Sequence, residues 1–415
     1  MTSMNNAWAQ SWLASRSSGD LIADRRYAYA QASAREGDEA AAAELLEQTL
    51  ELVPNWAPAW FALAQIHEKL GRADRALDAF ARAAALDPQD ELGARLNLAR
   101  FGAAATPNAA SQTYVRGLFD QYADHFDEHL TQKLHYRGPD LLAEATSRLG
   151  RTSFKNMIDL GCGTGLGGAA FRSRVEHLAG VDLSPRMVEV ARATKLYDRL
   201  ECGELEAFLD REPAMSADLI LAADVLVYIG DLAPVFHAVS RVLEPQGLFA
   251  FTVQRGAEDS YLVGADLRFA HGETYVRAAT EASGLQIVLL EEASTRRDAG
   301  TDVPGLVVVG KALPRPQRSG EPGSNSPENG LNSASCKKQK PASSFPPVLR
   351  AGSPRVGGCR ARINSLFSRM RKRVKIRCLS RPQARARRSP VFCRRLWIWK
   401  SLPTGAIFTR SISRP

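Results

Sequence analysis

The chain has 415 residues, 45% of them apolar, and a formal net charge of +9, enough for two or more domains with cores of their own. Six scattered cysteines argue against a disulfide scaffold, and no apolar run reaches the ~18 residues of a membrane span. The opening MTSMNNAWAQSWLASRSSGD lacks the apolar core and small-residue cleavage pattern of a secretory signal, so a cytoplasmic protein is expected, with residues 1–22 a flexible or helical N-terminus.

Residues 23–104 carry a 34-residue period: Gly37 pairs with Gly71, Pro54 with Pro88, Ala42 with Ala76, and Leu46 with Phe80. Small residues at 64 and 76 allow paired helices to approach closely, the glycine serves the turn between them, and Pro88 begins the exit from the second helix. In the second copy Trp60, Leu63, Ala64, Gly71, Ala76, Phe80, Ala83 and Pro88 resemble the tetratricopeptide consensus. The first copy is weaker, with Arg26 where Trp60 stands, and a third starts near Glu91 but dissolves at ATPNAA. Two repeats are few for a free-standing array, so they are expected to pack against the domain that follows, with recruitment of a protein partner as a second role.

ATPNAA, 105–110, reads as a linker. The next segment, YVRGLFDQYADHFDEHL, has Tyr114, Leu118, Phe119, Tyr122, Phe126 and Leu130 at helical spacing and is expected to form a lid or packing helix. From 139 to 312 strand and helix signals alternate. Strands are predicted at 156–160, 177–182, 217–224, 247–253, 286–292 and 305–311, with a short one near 198–202; helices are predicted near 139–149, 166–174, 185–195, 232–243 and 272–283. Alternation of this kind predicts an α/β domain with a Rossmann-like, doubly wound parallel sheet, preceded by the all-α repeats. The last strand, LVVVG, is apolar enough to be inserted into a covered sheet.

The chemistry concentrates in NMIDLGCGTG, 156–165. A strand runs straight into Gly161, Gly163 and Gly165, where the backbone turns tightly and a ligand can approach without a Cβ in the way. A second strand ends in Asp182, the usual position of an acid that accepts from ribose hydroxyls. A dinucleotide loop prefers G-x-G-x-x-G and a phosphate loop ends in Gly-Lys-Ser/Thr; here Leu166, Gly167 and Gly168 follow, with no lysine for phosphates. The N–H groups at the start of the following helix suit a carboxylate, and Asp159 suits an ammonium group.

Residues 111–312 resemble the class I S-adenosylmethionine-dependent methyltransferases in these motifs. DLGCGTG is similar to the first motif of that family, GVDLSPRMVEVAR to the next, ADLILAADVLVYIGDL to the fourth-strand motif and LEPQGLFAFTVQ to the fifth. The order, repeats first, resembles a bacterial family of tetratricopeptide-containing methyltransferases. The resemblance implies S-adenosylmethionine as cofactor, no metal, and a cofactor site made of Asp159, Gly161, Cys162, Gly163, Gly165, Asp182, Leu183, Met187, Glu204, Leu205, Ala223 and Asp224. It implies Met187 near the adenine or ribose and Glu204 in the element that reads the adenine amine, with Cys162 a small spacer.

The methyl acceptor is a small molecule or a protein. Candidate catalytic groups are His271, Tyr228 and His125, and candidate substrate contacts are Tyr122, Phe126, Arg255, Arg268 and Tyr275; an acidic acceptor would pair with the arginines. ADVLVY stands where a DNA or amide-nitrogen methyltransferase carries an NPPY element, which counts against those substrates. The alternative is a repeat scaffold or assembly factor with a vestigial cofactor fold; an intact loop and both acids count against it.

Residues 311–415 hold 25 of the 54 Lys and Arg but only two acids, which leaves 29 basic and 43 acidic residues in 1–310. The body is therefore near −14 and the tail near +23, so the basic balance is no argument that the folded part binds nucleic acid. From 313 onward Pro, Ser, Gly and Arg dominate; the segment reads as a disordered basic tail that binds polyanions non-specifically. A GC-rich gene read out of frame or past its stop gives the same composition, and both readings stand.

Overall fold

The computed structural model describes residues 17–123, 126, 134–256, 259–298 and 300–314. The first 16 residues, His125 and the tail from 315 therefore lie outside the described residues.

The repeats are four antiparallel-stacked helices: α1 (Leu21–Glu36), α2 (Glu39–Leu52), α3 (Ala57–Lys69) and α4 (Ala73–Leu86). Asp20 starts α1 by accepting from the Ile22 and Ala23 backbone N–H groups, and Gly37 stops it at φ +85°, a left-handed conformation that costs glycine nothing. Ala42, Ala59, Ala64, Ala76 and Ala83 are fully buried, which lets the helices close on Phe61, Phe80, Leu46 and Leu63. Trp60 donates its indole N–H to Pro54 O (2.7 Å) in the turn before α3, whereas Arg26 at the equivalent place donates to Gln48 O (3.2 Å) on α2.

The third copy survives as one short helix, α5 (Ala94–Arg100). Its Leu96 joins Ala110, Val227, Tyr228, Val263, Leu267 and Phe269 in a cluster that seals the repeats onto the sheet domain. The stretch expected as a linker is tied down. Asn108 O accepts from Gly230 N (2.7 Å) and Asp231 N (2.8 Å), and Ala110 N donates to Tyr228 O (2.9 Å). Helix α6 (Gln112–Tyr122) starts at Ser111, whose hydroxyl accepts from Tyr114 N and donates to Gln89 O.

The sheet domain follows as α7 (Gly138–Arg148), β1 (Phe154–Leu160), α8 (Leu166–Phe171), β2 (Val175–Asp182), α9 (Pro185–Thr194), β3 (Arg199–Cys202), α10 (Leu205–Arg211), β4 (Ala217–Ala222), α11 (Ala233–Val242), β5 (Leu243–Arg255), β6 (Tyr261–Val263), β7 (Phe269–His271), α12 (Glu273–Ala282), β8 (Leu285–Glu292), β9 (Arg297–Asp298), β10 (Thr301–Asp302) and β11 (Gly305–Ala312). The main order is β3-β2-β1-β4-β5-β11-β8. Strands β1 to β5 pair in parallel, whereas β11 runs antiparallel between β5 and β8, so the sheet is mixed and not wholly parallel.

The physical reason is the connection. A loop and the two-residue pair β9–β10 join β8 to β11, and without a crossover helix neighbouring strands run antiparallel. Seven of the eight β11 residues are buried, as a strand covered on both faces requires. Apolar clusters lie on both faces of the sheet, one around Phe236, Phe249 and Phe251, the other around Leu142, Phe154 and Phe171. Between β5 and α12, Phe269–His271 forms β7, which pairs with β6 and with the end of β5.

Candidate functional site

At the C-terminal ends of β1, β2 and β4, where open α/β sheets bind ligands, a cavity of about 340 Å3 opens beneath α6. Its floor is the glycine loop. Gly161 has φ +66°, and a Cβ there would stand 2.4 Å from Val225 Cγ2, so the loop presses against the chain after β4. Its N–H donates to Val181 O (2.8 Å), and Gly163 N–H donates to Asp182 Oδ2 (2.9 Å). Gly165, at φ +107°, starts α8; it shapes the loop and does not line the cavity.

Asp159 is 2% exposed and accepts from the Tyr197 hydroxyl (2.7 Å), which itself accepts from Gly168 N (3.0 Å). Burial raises its carboxyl to about 7; the Tyr197 hydrogen bond offsets this in part, and the Asp182 charge adds to it. Asp182 is raised to about 6, again by burial, against the N–H groups of Ser184 and Gly163 that favour its ionised form. Neither carboxylate forms an ion pair with a basic side chain among the described residues. Two costly acids on one cavity wall suit a cationic ligand group or a hydroxyl donor.

The sheet order gives the cavity two ends. Asp182, Leu183, Gly203, Glu204, Leu205 and Glu206 come from the β2–β3 side. Ala223, Asp224, Val225, Tyr228, Arg268 and Arg296 come from the side of β4, β5 and β7. Over both hangs an aromatic wall from α6 and the residues after it: Phe119 meets Tyr228 (5.4 Å) and Phe126 (6.0 Å) edge-on, and Tyr122 meets Phe126 (5.2 Å).

The structure thus brings together Asp159, Gly161, Cys162, Gly163, Asp182, Leu183, Glu204, Leu205, Ala223, Asp224, Tyr122, Phe126, Tyr228 and Arg268. Cys162 is buried, and burial raises its thiol well above the usual range. Asp224 adopts φ +55° and is held by Thr295 Oγ1 (3.0 Å) and by Arg296 Nη1 (2.9 Å).

Four expectations are corrected, each by where the side chain packs. Met187 is fully buried in core and does not reach the cavity. Arg255 pairs with Glu292 (2.8 Å) on the surface. The Tyr275 hydroxyl accepts from Leu232 N (2.9 Å) and lies within hydrogen-bond distance of Asp231 Oδ1 (3.2 Å), so it braces a turn. His271 is fully buried behind that turn and donates Nε2–H to Ile229 O (2.9 Å); burial lowers its pKa to about 4, against the two carbonyls that favour its charged form. A neutral, enclosed imidazole of this kind holds structure and is not placed to take a proton from a ligand in the cavity. The remaining histidine candidate, His125, lies outside the described residues.

Sequence reasoning missed Tyr136, Tyr197, Thr295 and Arg296. Arg296 is the most consequential: its side chain is 4% exposed, it lines the cavity, and it binds Asp224, Gln254 Oε1 (3.0 Å) and Asp266 Oδ2 (3.5 Å). The one sequence signal was a pair of arginines, TRRD, just after a strand at the ligand edge of the sheet.

Comparison with known proteins agrees with this architecture. Residues 158–251 match the family model of the methyltransferase domain, and residues 57–90 match that of the tetratricopeptide repeat. The chain therefore carries a methyltransferase domain and a tetratricopeptide repeat. Among its relatives is the ubiquinone biosynthesis O-methyltransferase of Idiomarina loihiensis, 30% identical over 114 residues, 26% of this chain and 46% of that protein. The enzyme of the same description from Xylella fastidiosa strain M23 is 29% identical over 155 residues, 35% of this chain and 62% of that one. The chain thus spans about half to three fifths of the length of these relatives. A solved 1,6-didemethyltoxoflavin-N1-methyltransferase from Burkholderia thailandensis, crystallised with S-adenosylhomocysteine, aligns at 16% identity and a TM-score of 0.41, covering 51% of this chain and 94% of that one. Among the described residues no helix is long and apolar enough to cross a membrane.

Proposed function

We propose that this chain is an S-adenosylmethionine-dependent methyltransferase acting on a small-molecule acceptor, with oxygen the acceptor atom, as in the names of the relatives reported above. The observation that carries the reading is the pair of buried acids, Asp159 and Asp182, on one cavity wall beside the glycine loop. Asp159 would receive the cofactor's ammonium group, Asp182 the ribose hydroxyls, and Glu204 with Leu205 would border the adenine. A scaffold with a vestigial cofactor fold has no use for two carboxylates buried without a cation.

When bound, S-adenosylmethionine supplies a methyl group on a sulfonium that is already a good leaving group. What is left for the chain is geometry and dryness. Phe119, Tyr122, Phe126 and Tyr228 exclude water over the loop, and Val225 with the left-handed Asp224 fixes the wall beside which the acceptor would lie. The small-molecule reading is favoured over a protein acceptor because this end of the cavity closes on Tyr136, Tyr228 and the nearly buried Arg296. The repeats serve first as packing; recruitment of a partner is a further role, supported by the exposed apolar side chains Leu21, Ile22 and Tyr29 on α1.

The test is calorimetric titration of S-adenosylmethionine into the full chain beside Asp182→Ala and Asp182→Asn. Asp182→Ala should weaken binding roughly 30-fold, with Asp182→Asn recovering part of the loss. Wild-type protein that is folded by circular dichroism and binds no cofactor would sink the proposal.

A further inference from the structure

Arg268 and Arg296 stand at the same end of the cavity but in different electrical situations. Arg296 spends its donors inside the protein, on Asp224 at 2.9 Å, Gln254 at 3.0 Å and Asp266 at 3.5 Å. Arg268 is the looser cation. Its Nε donates to the Tyr228 hydroxyl (3.3 Å), and the carboxylate with which it forms an ion pair, Asp266, stands 4.0 Å from Nη1. Asp266 is shared with Arg296, and the other carboxylate that acts on Arg268, Asp224, is itself bound by Arg296 at 2.9 Å. Its side chain is 14% exposed, and it lines the cavity. A guanidinium removed from water with so distant a counterion is costly unless an anion comes to it.

The other acids of the cavity do not meet this need. Asp159, Asp182, Glu204 and Glu206 come from β1 and the β2–β3 side, where the cofactor is read to lie, and Asp224 is bound by Arg296. Beside Arg268 the wall is aromatic. Its guanidinium carbon lies 5.9 Å from the Tyr228 ring centroid, Tyr228 meets Phe119 edge-on at 5.4 Å, and Phe119 meets Phe126 at 6.0 Å. Such a wall favours a flat ring packed edge-to-face or offset. A guanidinium fork at its end favours a planar, bidentate anion.

We propose that the acceptor is a small aromatic carboxylic acid and that Arg268 receives its carboxylate, the ring lying along Phe119, Phe126 and Tyr228. This rests on the methyltransferase reading and deepens it. Arg268 is then a specificity-determining residue, oriented by the Tyr228 hydroxyl, and the methylated atom lies elsewhere on the ring system.

The test uses the full chain saturated with S-adenosylhomocysteine and two matched probe pairs, benzoate with benzamide and 2-naphthoate with 2-naphthamide, titrated by calorimetry and ligand-observed NMR. At least one acid should bind about tenfold or more tightly than its amide. Arg268→Gln should abolish that preference while S-adenosylhomocysteine affinity stays within about twofold, and Arg268→Lys, which keeps the charge but not the fork, should retain part of it. Amides that bind as well as their acids, a preference that survives Arg268→Gln, or no binding by either acid to the S-adenosylhomocysteine-loaded protein would each overturn the proposal. If Arg268→Gln fails to fold, the wild-type acid-to-amide ratio decides alone. Wild-type protein that does not bind S-adenosylhomocysteine overturns the methyltransferase reading, and this inference with it.

Discussion

The raised carboxyl of Asp159 makes cofactor affinity depend on pH in a way that can be worked out from its surroundings. Its pKa of about 7 in the folded protein stands above the ordinary 3.8, chiefly through burial. A carboxyl raised in this way favours the neutral form of the folded apoprotein: its stabilising contribution is complete below about pH 4 and is lost as pH rises through about 7. Cofactor binding runs the other way, because an ammonium group selects the ionised form. Only about one molecule in eleven carries ionised Asp159 at pH 6, against about three in four at pH 7.5. Affinity for S-adenosylhomocysteine should therefore rise about eightfold across that window, with a proton released on binding below pH 7. Asp182, raised to about 6, adds up to about a factor of two at the acid end. The assay is calorimetry at pH 6.0, 6.5, 7.0 and 7.5 in two buffers of different ionisation enthalpy, which counts the protons, with Asp159→Asn alongside. The variant should bind weakly and with a flatter profile. Wild-type affinity that is constant across the window, with no proton released, would refute the assignment of Asp159 to a cationic group.

Three further outcomes follow from the same site. Tyr197→Phe removes the hydroxyl that donates to Asp159 and accepts from Gly168, so the Asp159 carboxyl should titrate higher; cofactor binding should weaken several-fold at pH 7 and recover toward pH 8, as read by the same titrations. Gly161→Ala combines φ +66° with a Cβ 2.4 Å from Val225, whereas Gly203→Ala meets nothing within 4 Å; the first should lower the thermal midpoint by several degrees and the second leave it within about one degree. Arg296→Ala leaves the buried face of Asp224 without its cation and should cost about 3 kcal/mol in urea denaturation, more than Arg255→Ala, whose pair with Glu292 is exposed and is worth under ~1 kcal/mol.

The glycine-loop end of the cavity was legible because local sequence determines it. A strand, a glycine loop and an acid at the end of the next strand are contiguous signals, and a parallel β1–β2 pair brings Asp182 Oδ2 to Gly163 N whatever the rest of the chain does. The acceptor end was not legible to the same degree. It is assembled from α6, the turn after β4, β7 and the loop after β8, and no short-range pattern says which polar residue of those segments turns inward. Arg255 and Arg268 looked equivalent in sequence; one ends β5 at the surface beside Glu292, the other follows a left-handed Leu267 (φ +58°) that turns the chain into β7. His271 and Tyr275 drew attention by residue type, and both are spent on backbone groups of the turn at Ile229 to Leu232. The antiparallel β11 was hidden for a different reason: apolar strands buried on both faces read alike in either direction.

The repeats are more than an appendage to the sheet domain, and α6 is the reason. At its start the Ser111 hydroxyl donates to Gln89 O at the end of the second repeat, and Tyr114 packs so closely on Gly93 that a Cβ there would lie 2.9 Å from its ring. Near its end Asp120 accepts from the Ser184 hydroxyl (2.6 Å), and Ser184 N donates to Asp182, the acid assigned to the ribose. Between those two anchors Val115, Leu118 and Phe119 form the cavity wall. One eleven-residue helix thus spans from the repeat stack to the cofactor loop, held at both ends by side-chain hydrogen bonds and along its length by the apolar cluster of Leu96, Tyr228 and Phe269. Two helical hairpins bury too little to stand alone, and a cavity lacking its aromatic wall would admit water. Each part supplies what the other lacks: the sheet domain gives the short repeat stack a surface to cap it, and the stack fixes the helix that walls the cavity.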